Sequence, residues 1–153
     1  MPYFKLPQLP TELLTHKKVK TAYEKLALLI ESIALKPIPD EVQPMIQACL
    51  TTIEETSDEK KVLIKALRKE TDTILKLLQK HLNLVPKNYY MVLWLSLGLA
   101  AFGIPIGIAI GMALGNIAFL GIGFPFGVGI GIAVGIAMDK KAAAEGRQLP
   151  VDL

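Results

Sequence analysis

The sequence predicts an all-α protein with an N-terminal cytoplasmic helical domain of about three helices (residues 1–88), a transmembrane glycine-zipper hairpin (89–138) and a cytoplasmic tail (139–153). Three observations carry this reading. From Tyr89 to Met138 there is no Asp, Glu, Lys, Arg or His. Those fifty residues exceed the roughly 20 apolar residues that one membrane helix needs, suffice for two spans and are short for three. Before them, apolar residues recur at three and four positions, the period of an amphipathic helix. Within them, small and large residues alternate, as in "GIGFPFGVGIGIAVGIAM" from Gly121 to Met138.

The first helix is expected from about Thr11, after Pro10, to Leu35, with Val19, Ala22, Tyr23, Leu26, Ile30 and Ile33 on its apolar stripe. "KPIPD" stops it, because each proline removes a donor and biases its predecessor away from helix. The second, about Asp40 to Glu55, uses Val42, Met45, Ile46, Cys49, Leu50 and Ile53. A third opens at Thr56 with a capping box to Glu59 and continues to about Leu82 through Leu63, Leu67, Ile74, Leu78 and Leu82, before Pro86. Three such helices form either a bundle with its own core or part of an oligomeric collar.

Residues 1–88 carry 14 Lys and Arg against 11 Asp and Glu. "THKKVK" at residues 15–20 reads as a solvated helix face, since no aromatic interleaving or Gly-rich loop accompanies it, and no nucleic-acid partner is expected. His16 and His81 have no Cys, His or carboxylate at ligand spacing. The single cysteine, Cys49, excludes an intramolecular disulfide and is expected to pack as a small apolar side chain. No phosphate-binding loop, nucleophile elbow or carboxylate pair is present, so the reading includes no enzyme activity, cofactor or metal. The N-terminal "MPYFKLPQLP" lacks the basic-then-apolar pattern of a signal, and the first membrane helix is expected to direct insertion.

The spans are expected at about Tyr90–Gly115 and Gly121–Met138. Tyr89, Tyr90 and Trp94 stand where charge gives way to apolar sequence, the place of an interfacial aromatic belt. Lys80 and Lys87 precede the spans, Lys140, Lys141 and Arg147 follow them, and the connection "GNIAFLGIG" has no charge. By the positive-inside rule both ends are expected to face the cytoplasm; the expected location is a bacterial inner membrane.

Set in register, "GIPIGIAIGMALG" from Gly103 aligns with "GFPFGVGIGIAVG" from Gly123 at an offset of 20 residues. Each copy places glycine at every fourth position: Gly103, Gly107, Gly111 and Gly115, then Gly123, Gly127, Gly131 and Gly135. Each glycine costs about 1 kcal/mol of helix propensity relative to alanine, a penalty that close backbone packing in a bilayer offsets. Residues two apart lie about 200° apart on a helix, so Pro105, Ala109 and Ala113 form a second small flank opposite the glycines. Helices with two small flanks suit a ring or a layered sheet. Period-two alternation is also a strand signature, but Pro105 and Pro125 would each delete a ladder bond and a barrel of this pattern would lack a polar lumen. Pro105 removes a bond to the carbonyl of Ala101, so a kink is expected near Ala101–Pro105, eased by Gly98 and Gly103. Pro125 fits the first turn of the second helix. Ser96 and Asn116 are the only polar side chains between Met91 and Met138 and, with Pro105, are the candidates for pore or kink contacts.

"GVGIGIAVG", Gly127–Gly135, resembles the glycine-repeat helix of the rotor-ring subunit of rotary ATP synthases, a two-helix hairpin assembled into a ring. The resemblance covers about one span and implies close packing. It also implies a membrane-embedded carboxylate that this chain lacks between Met91 and Met138, which excludes ion-driven rotation. More broadly the chain is similar to small bacterial glycine-zipper membrane proteins. The resulting expectation is a homo-oligomeric integral membrane protein, with a pore or channel gated by dewetting at an apolar constriction as one reading. The alternative is a non-conducting scaffold or anchor whose cytoplasmic helices bind a protein partner.

Overall fold

Leu and Ile side chains repeated on helical stripes have to be removed from water, and the N-terminal half does so mainly by packing helices. The computed structural model describes residues 4–34, 36–56 and 59–152. By its internal contacts the chain divides into one unit of Met1–Val85 with Leu149–Val151 and another of Pro86–Gln148 with Asp152–Leu153.

In the first unit, α1 (Thr11–Leu14) is a single turn, followed after Thr15 and His16 by α2 (Lys17–Ala34), α3 (Gln43–Glu55) and α4 (Lys60–Leu82). The expected first helix is thus broken at Thr15, whose hydroxyl donates to the Glu12 carbonyl at 2.6 Å. Both α2 and α3 pack on α4. Leu26, Leu29 and Ile33 of α2, Ile46, Leu50 and Ile53 of α3, and Leu63, Leu67, Ile74 and Leu78 of α4 are fully buried. Ala22 and Tyr23 lie at the core's edge, where the Tyr23 hydroxyl donates to the Pro7 carbonyl at 3.2 Å. Met45 departs from its expected place: it is 45% exposed, one position before the buried Ile46.

The capping box expected at Thr56 is not formed. The Thr56 hydroxyl donates back to the Thr52 carbonyl at 2.6 Å, so it ends α3, and α4 begins after Glu59 without a side-chain cap. Ser57 and Asp58 of that box lie outside the described residues, as does Leu35 at the expected end of the first helix. Cys49 is buried, and its thiol is pushed up to about 11, first by burial and then by its hydrogen bond to the Glu70 carboxylate.

The largest departure concerns the C-terminus. The all-α expectation omits a two-stranded sheet, β1 (Val85–Lys87) with β2 (Gln148–Asp152). Alternation explains β2: Leu149 and Val151 are buried in the core of the helical unit, while Pro150 and Asp152 are exposed. In a sheet of two strands each has a free edge, where a proline is tolerated. Residues 139–152 are therefore no separate tail, and Leu153 of the expected tail lies outside the described residues. Their first part continues a helix, and Leu149–Val151 complete the helical unit.

Candidate functional site

The second unit consists of two apolar helical runs, Tyr89–Ala113 and Ile117–Ala144, each long and apolar enough to cross a membrane. The first comprises α5 (Tyr89–Gly98), a π-helical turn at Leu99–Gly103 and α6 (Ile104–Ala113). The second comprises a 3₁₀ segment at Ile117–Ile122 and α7 (Gly123–Ala144). In each, only 17% of the most apolar window is buried, unlike the core helix of a soluble protein, so Ile, Leu and Phe side chains form an exposed apolar surface.

What is buried between the helices is almost entirely backbone. The buried residues of α7 up to Asp139 are Gly123, Gly127, Gly131, Gly135 and Asp139, one row at a spacing of four. Across from them lie Gly98, Gly103, Gly107 and Gly111. A methyl group built on Gly127 would fall 2.7 Å from the Gly98 carbonyl oxygen and 2.8 Å from the Gly103 Cα. One on Gly123 would fall 2.7 Å from the Gly107 Cα, and one on Gly131 2.9 Å from the Leu95 Cα. On Gly135 it would fall 2.8 Å from the Tyr90 carbonyl oxygen, and on Gly107 3.2 Å from the Leu120 Cα. These partners are main-chain atoms that cannot swing aside, so any side chain here separates the helices. Gly103 and Gly111 are less confined, with nearest atoms at 3.4 Å.

Two positions depart from the sequence pattern. Gly115 packs against nothing within 4 Å and has φ +65°; it ends α6, with the Asn116 N–H bonding the Gly111 carbonyl at 2.9 Å. Gly98, read only as easing a bend, is a packing residue. It stands five residues before Gly103, a spacing that an α-helix would put on different faces. The π turn absorbs the extra residue: the Ile104 N–H reaches back to the Leu99 carbonyl, five positions away. The irregularity expected near Pro105 thus takes the form of a π turn immediately before it. Pro105 itself is exposed, within the first turn of α6, and Pro125 lies in the first turn of α7.

The candidate polar contacts are occupied locally. The Ser96 hydroxyl donates to the Val92 carbonyl at 3.1 Å, and the Asn116 side chain accepts from the Ala118 N–H at 2.9 Å, capping the 3₁₀ segment. Neither points to a shared polar path.

At the other end of the hairpin stands a residue that the charge pattern alone did not single out. Asp139 is 8% exposed and follows Gly135 by four positions, on the same face of α7. Its two carboxylate oxygens accept from the Tyr90 N–H at 3.1 Å and the Met91 N–H at 3.0 Å. These are free donors of the first turn of α5, whose own N-cap residue, Asn88, makes no side-chain cap bond. The carboxylate thus caps the facing helix, favoured by the positive end of its dipole. The signal that could have found it is the four-residue glycine register continued one step into "DKK". Beside it the Trp94 indole N–H donates to the Met138 sulfur at 2.8 Å, and the Tyr89 and Tyr90 rings meet edge to face at 5.2 Å. The three aromatic residues of the expected belt are therefore gathered at the capped end. An open depression of about 200 Å³ lined by Asn88, Ile136, Asp139, Lys140, Ala143 and Gln148 lies there. Among the described residues no group of three His, Cys, Asp or Glu side chains is placed to hold a metal ion.

No family model matches the chain, and no curated protein or solved structure is similar to it.

Proposed function

We propose that the protein is a membrane anchor: a closed, non-conducting two-helix hairpin that tethers the helical unit to one face of a bilayer, where that unit is free to bind a protein partner. The observation that carries this reading is the direction of the glycine row. Gly123, Gly127 and Gly131 are consumed in contact with Gly98, Gly103, Gly107 and Trp94–Leu95 of the same chain, so the tightest packing surface is spent on closing the hairpin. The Asp139 bonds to Tyr90 and Met91 support the same closure. A same-side arrangement of the two hairpin ends is supported by the chain path, which leaves the helical unit at Val85 and re-enters it at Leu149.

The test combines topology, stoichiometry and flux in one reconstituted sample. In a Cys49→Ser background, Phe119→Cys is expected to react with an impermeant thiol reagent from one side of the vesicle and Ala144→Cys only from the other. Vesicles holding the protein are expected to leak ions no faster than empty ones. Labelling of both positions from one side removes the spanning hairpin. Conductance together with a fixed higher oligomer would favour the pore reading and remove the anchor.

A further inference from the structure

Charge is segregated within the helical unit. Residues 40–59 carry six Asp and Glu and no Lys or Arg, whereas α4 carries seven Lys and Arg against Glu70 and Asp72. Helical periodicity gathers the cations. Lys61, Lys65, Arg68, Lys69, Lys76 and Lys80 are all exposed and fall on the face of α4 opposite the buried Leu63, Leu67, Ile74 and Leu78. Glu70 is buried on the other side, leaving Asp72 as the one exposed acid on α4. Among the described residues, only Lys69 of these six cations has an ion pair, with Glu70 at 3.8 Å. The basic face is thus largely uncompensated within the chain.

The segment joining α4 to the first apolar helix is residues 83–88, which even fully extended spans at most about 20 Å. The Lys76 and Lys80 end of the face is therefore tethered close to wherever that helix enters a bilayer.

We propose that the basic face of α4 docks on anionic phospholipid headgroups. The inference rests on the anchor reading. Charge complementarity selects the occupant: clustered Lys and Arg next to a membrane segment are attracted to an anionic leaflet, and the attraction decays within a screening length of about 10 Å at 0.1 M salt. Tethering keeps the face at high effective concentration relative to that surface. A second copy of the chain, offering its acidic 40–59 segment, has no such tether and is the competing outcome.

The experiment uses the full chain with Cys49→Ser and a donor dye on Asp72→Cys. It is reconstituted into phosphatidylcholine vesicles with or without phosphatidylglycerol, both carrying acceptor-labelled headgroups. Energy transfer is expected to rise with phosphatidylglycerol and to fall back as salt is added. The rise is expected to vanish in Lys61→Gln/Lys65→Gln/Lys76→Gln/Lys80→Gln, since four charges at roughly fivefold each weaken docking on the order of several hundred-fold. The matching Lys→Arg variant is expected to keep it. Transfer that ignores phosphatidylglycerol, or that survives in the Gln variant, overturns the proposal. So does transfer between differently labelled copies that persists in neutral vesicles, which would place a second chain on the face. Alkaline carbonate extraction of the same vesicles separates the two readings: extracted protein overturns the anchor and this inference with it, whereas protein that resists extraction but shows no phosphatidylglycerol dependence overturns only the docking of α4.

Discussion

In the helical unit Leu26, Leu67 and Leu78 are buried to completion, so contact between helices is made by side chains filling space. In the hairpin Gly98, Gly127 and Gly131 bring main chain against main chain, and contact is made by having no side chain at all. The difference is the one that the proposed membrane anchor requires of its two parts. In water, burying a large apolar side chain is itself the driving force. For helices whose large residues face outward into a medium as apolar as they are, that gain disappears, and association depends on close van der Waals approach and hydrogen bonds. The hairpin shows both, the first along the glycine row and the second at Asp139.

The largest expected effect is in the volume-filled part. Leu67→Ala should destabilise the helical unit by about 2–5 kcal/mol, because a fully buried side chain leaves a cavity. Leu149→Ala should fall in the same range although it lies beyond the hairpin in sequence, since Leu149 is equally buried in that core. Denaturant unfolding followed by circular dichroism measures both. If Leu149→Ala unfolds like the parent while Leu67→Ala does not, β2 is no part of the core and the comparison loses its account of the C-terminus.

Next comes the glycine row, where the sign reverses and adding volume does the harm. Gly127→Ala should cost about 1–3 kcal/mol, the usual penalty for overpacking, because the new methyl meets three main-chain atoms under 3 Å away. Gly111→Ala, whose nearest neighbour would stand at 3.4 Å, should cost much less. Steric trapping of the reconstituted hairpin compares the two, and equal values would mean that the helices are not in contact through Gly127.

A smaller effect is expected at Asp139. Replacing it with Ala frees two first-turn donors of α5 and should cost about 1 kcal/mol, the typical worth of a helix cap. Amide exchange localises it: Tyr90 and Met91 should lose protection while α6 does not. Unchanged exchange at those two amides would show that the carboxylate does not cap the helix.

The sequence made some of these features legible and hid others, and the division is physical. The stripes of α2, α3 and α4 were readable because burial on a helix repeats at 3.6 residues, as Leu63, Leu67, Ile74 and Leu78 show. The glycine row was readable for the same reason at Gly123–Gly135. Gly98 was not, because a π turn changes the register locally and nothing in "LGLAAFG" announces the wider turn. Gly115 looked like a fourth zipper position since a helix end also favours glycine, and spacing alone does not distinguish the two uses. β2 was missed because five residues of alternation are too few to signal, and the rest of the core that Leu149 and Val151 join lies far earlier in the chain, at Leu84 and before. Asp139 was not singled out because the second span was expected to end at Met138, and its place in the row depends on the helix continuing past that point.

The smallest effect separates the hairpin's inner and outer faces. Gly129 lies between Gly127 and Gly131 in sequence, yet a methyl group built on it would meet nothing within 4 Å. It belongs to the exposed flank with Pro125, Ala133 and Ala137. Within one chain Gly129→Ala should therefore add helix propensity without a clash and stabilise the hairpin by about 0.5–1 kcal/mol. Gly123, Gly127 and Gly131 cannot gain in this way, because the propensity term is the same but overpacking outweighs it. The two functional readings diverge here. If the outer flank is only lipid-facing, the substitution leaves stoichiometry untouched and raises stability slightly, as the anchor requires. If copies pack through that flank as tightly as the helices pack through the inner one, the same methyl group has to separate them. Counting subunits per nanodisc for Gly129→Ala against the parent gives the answer, and a loss of oligomer would move the weight from a closed anchor to an assembly built on both faces.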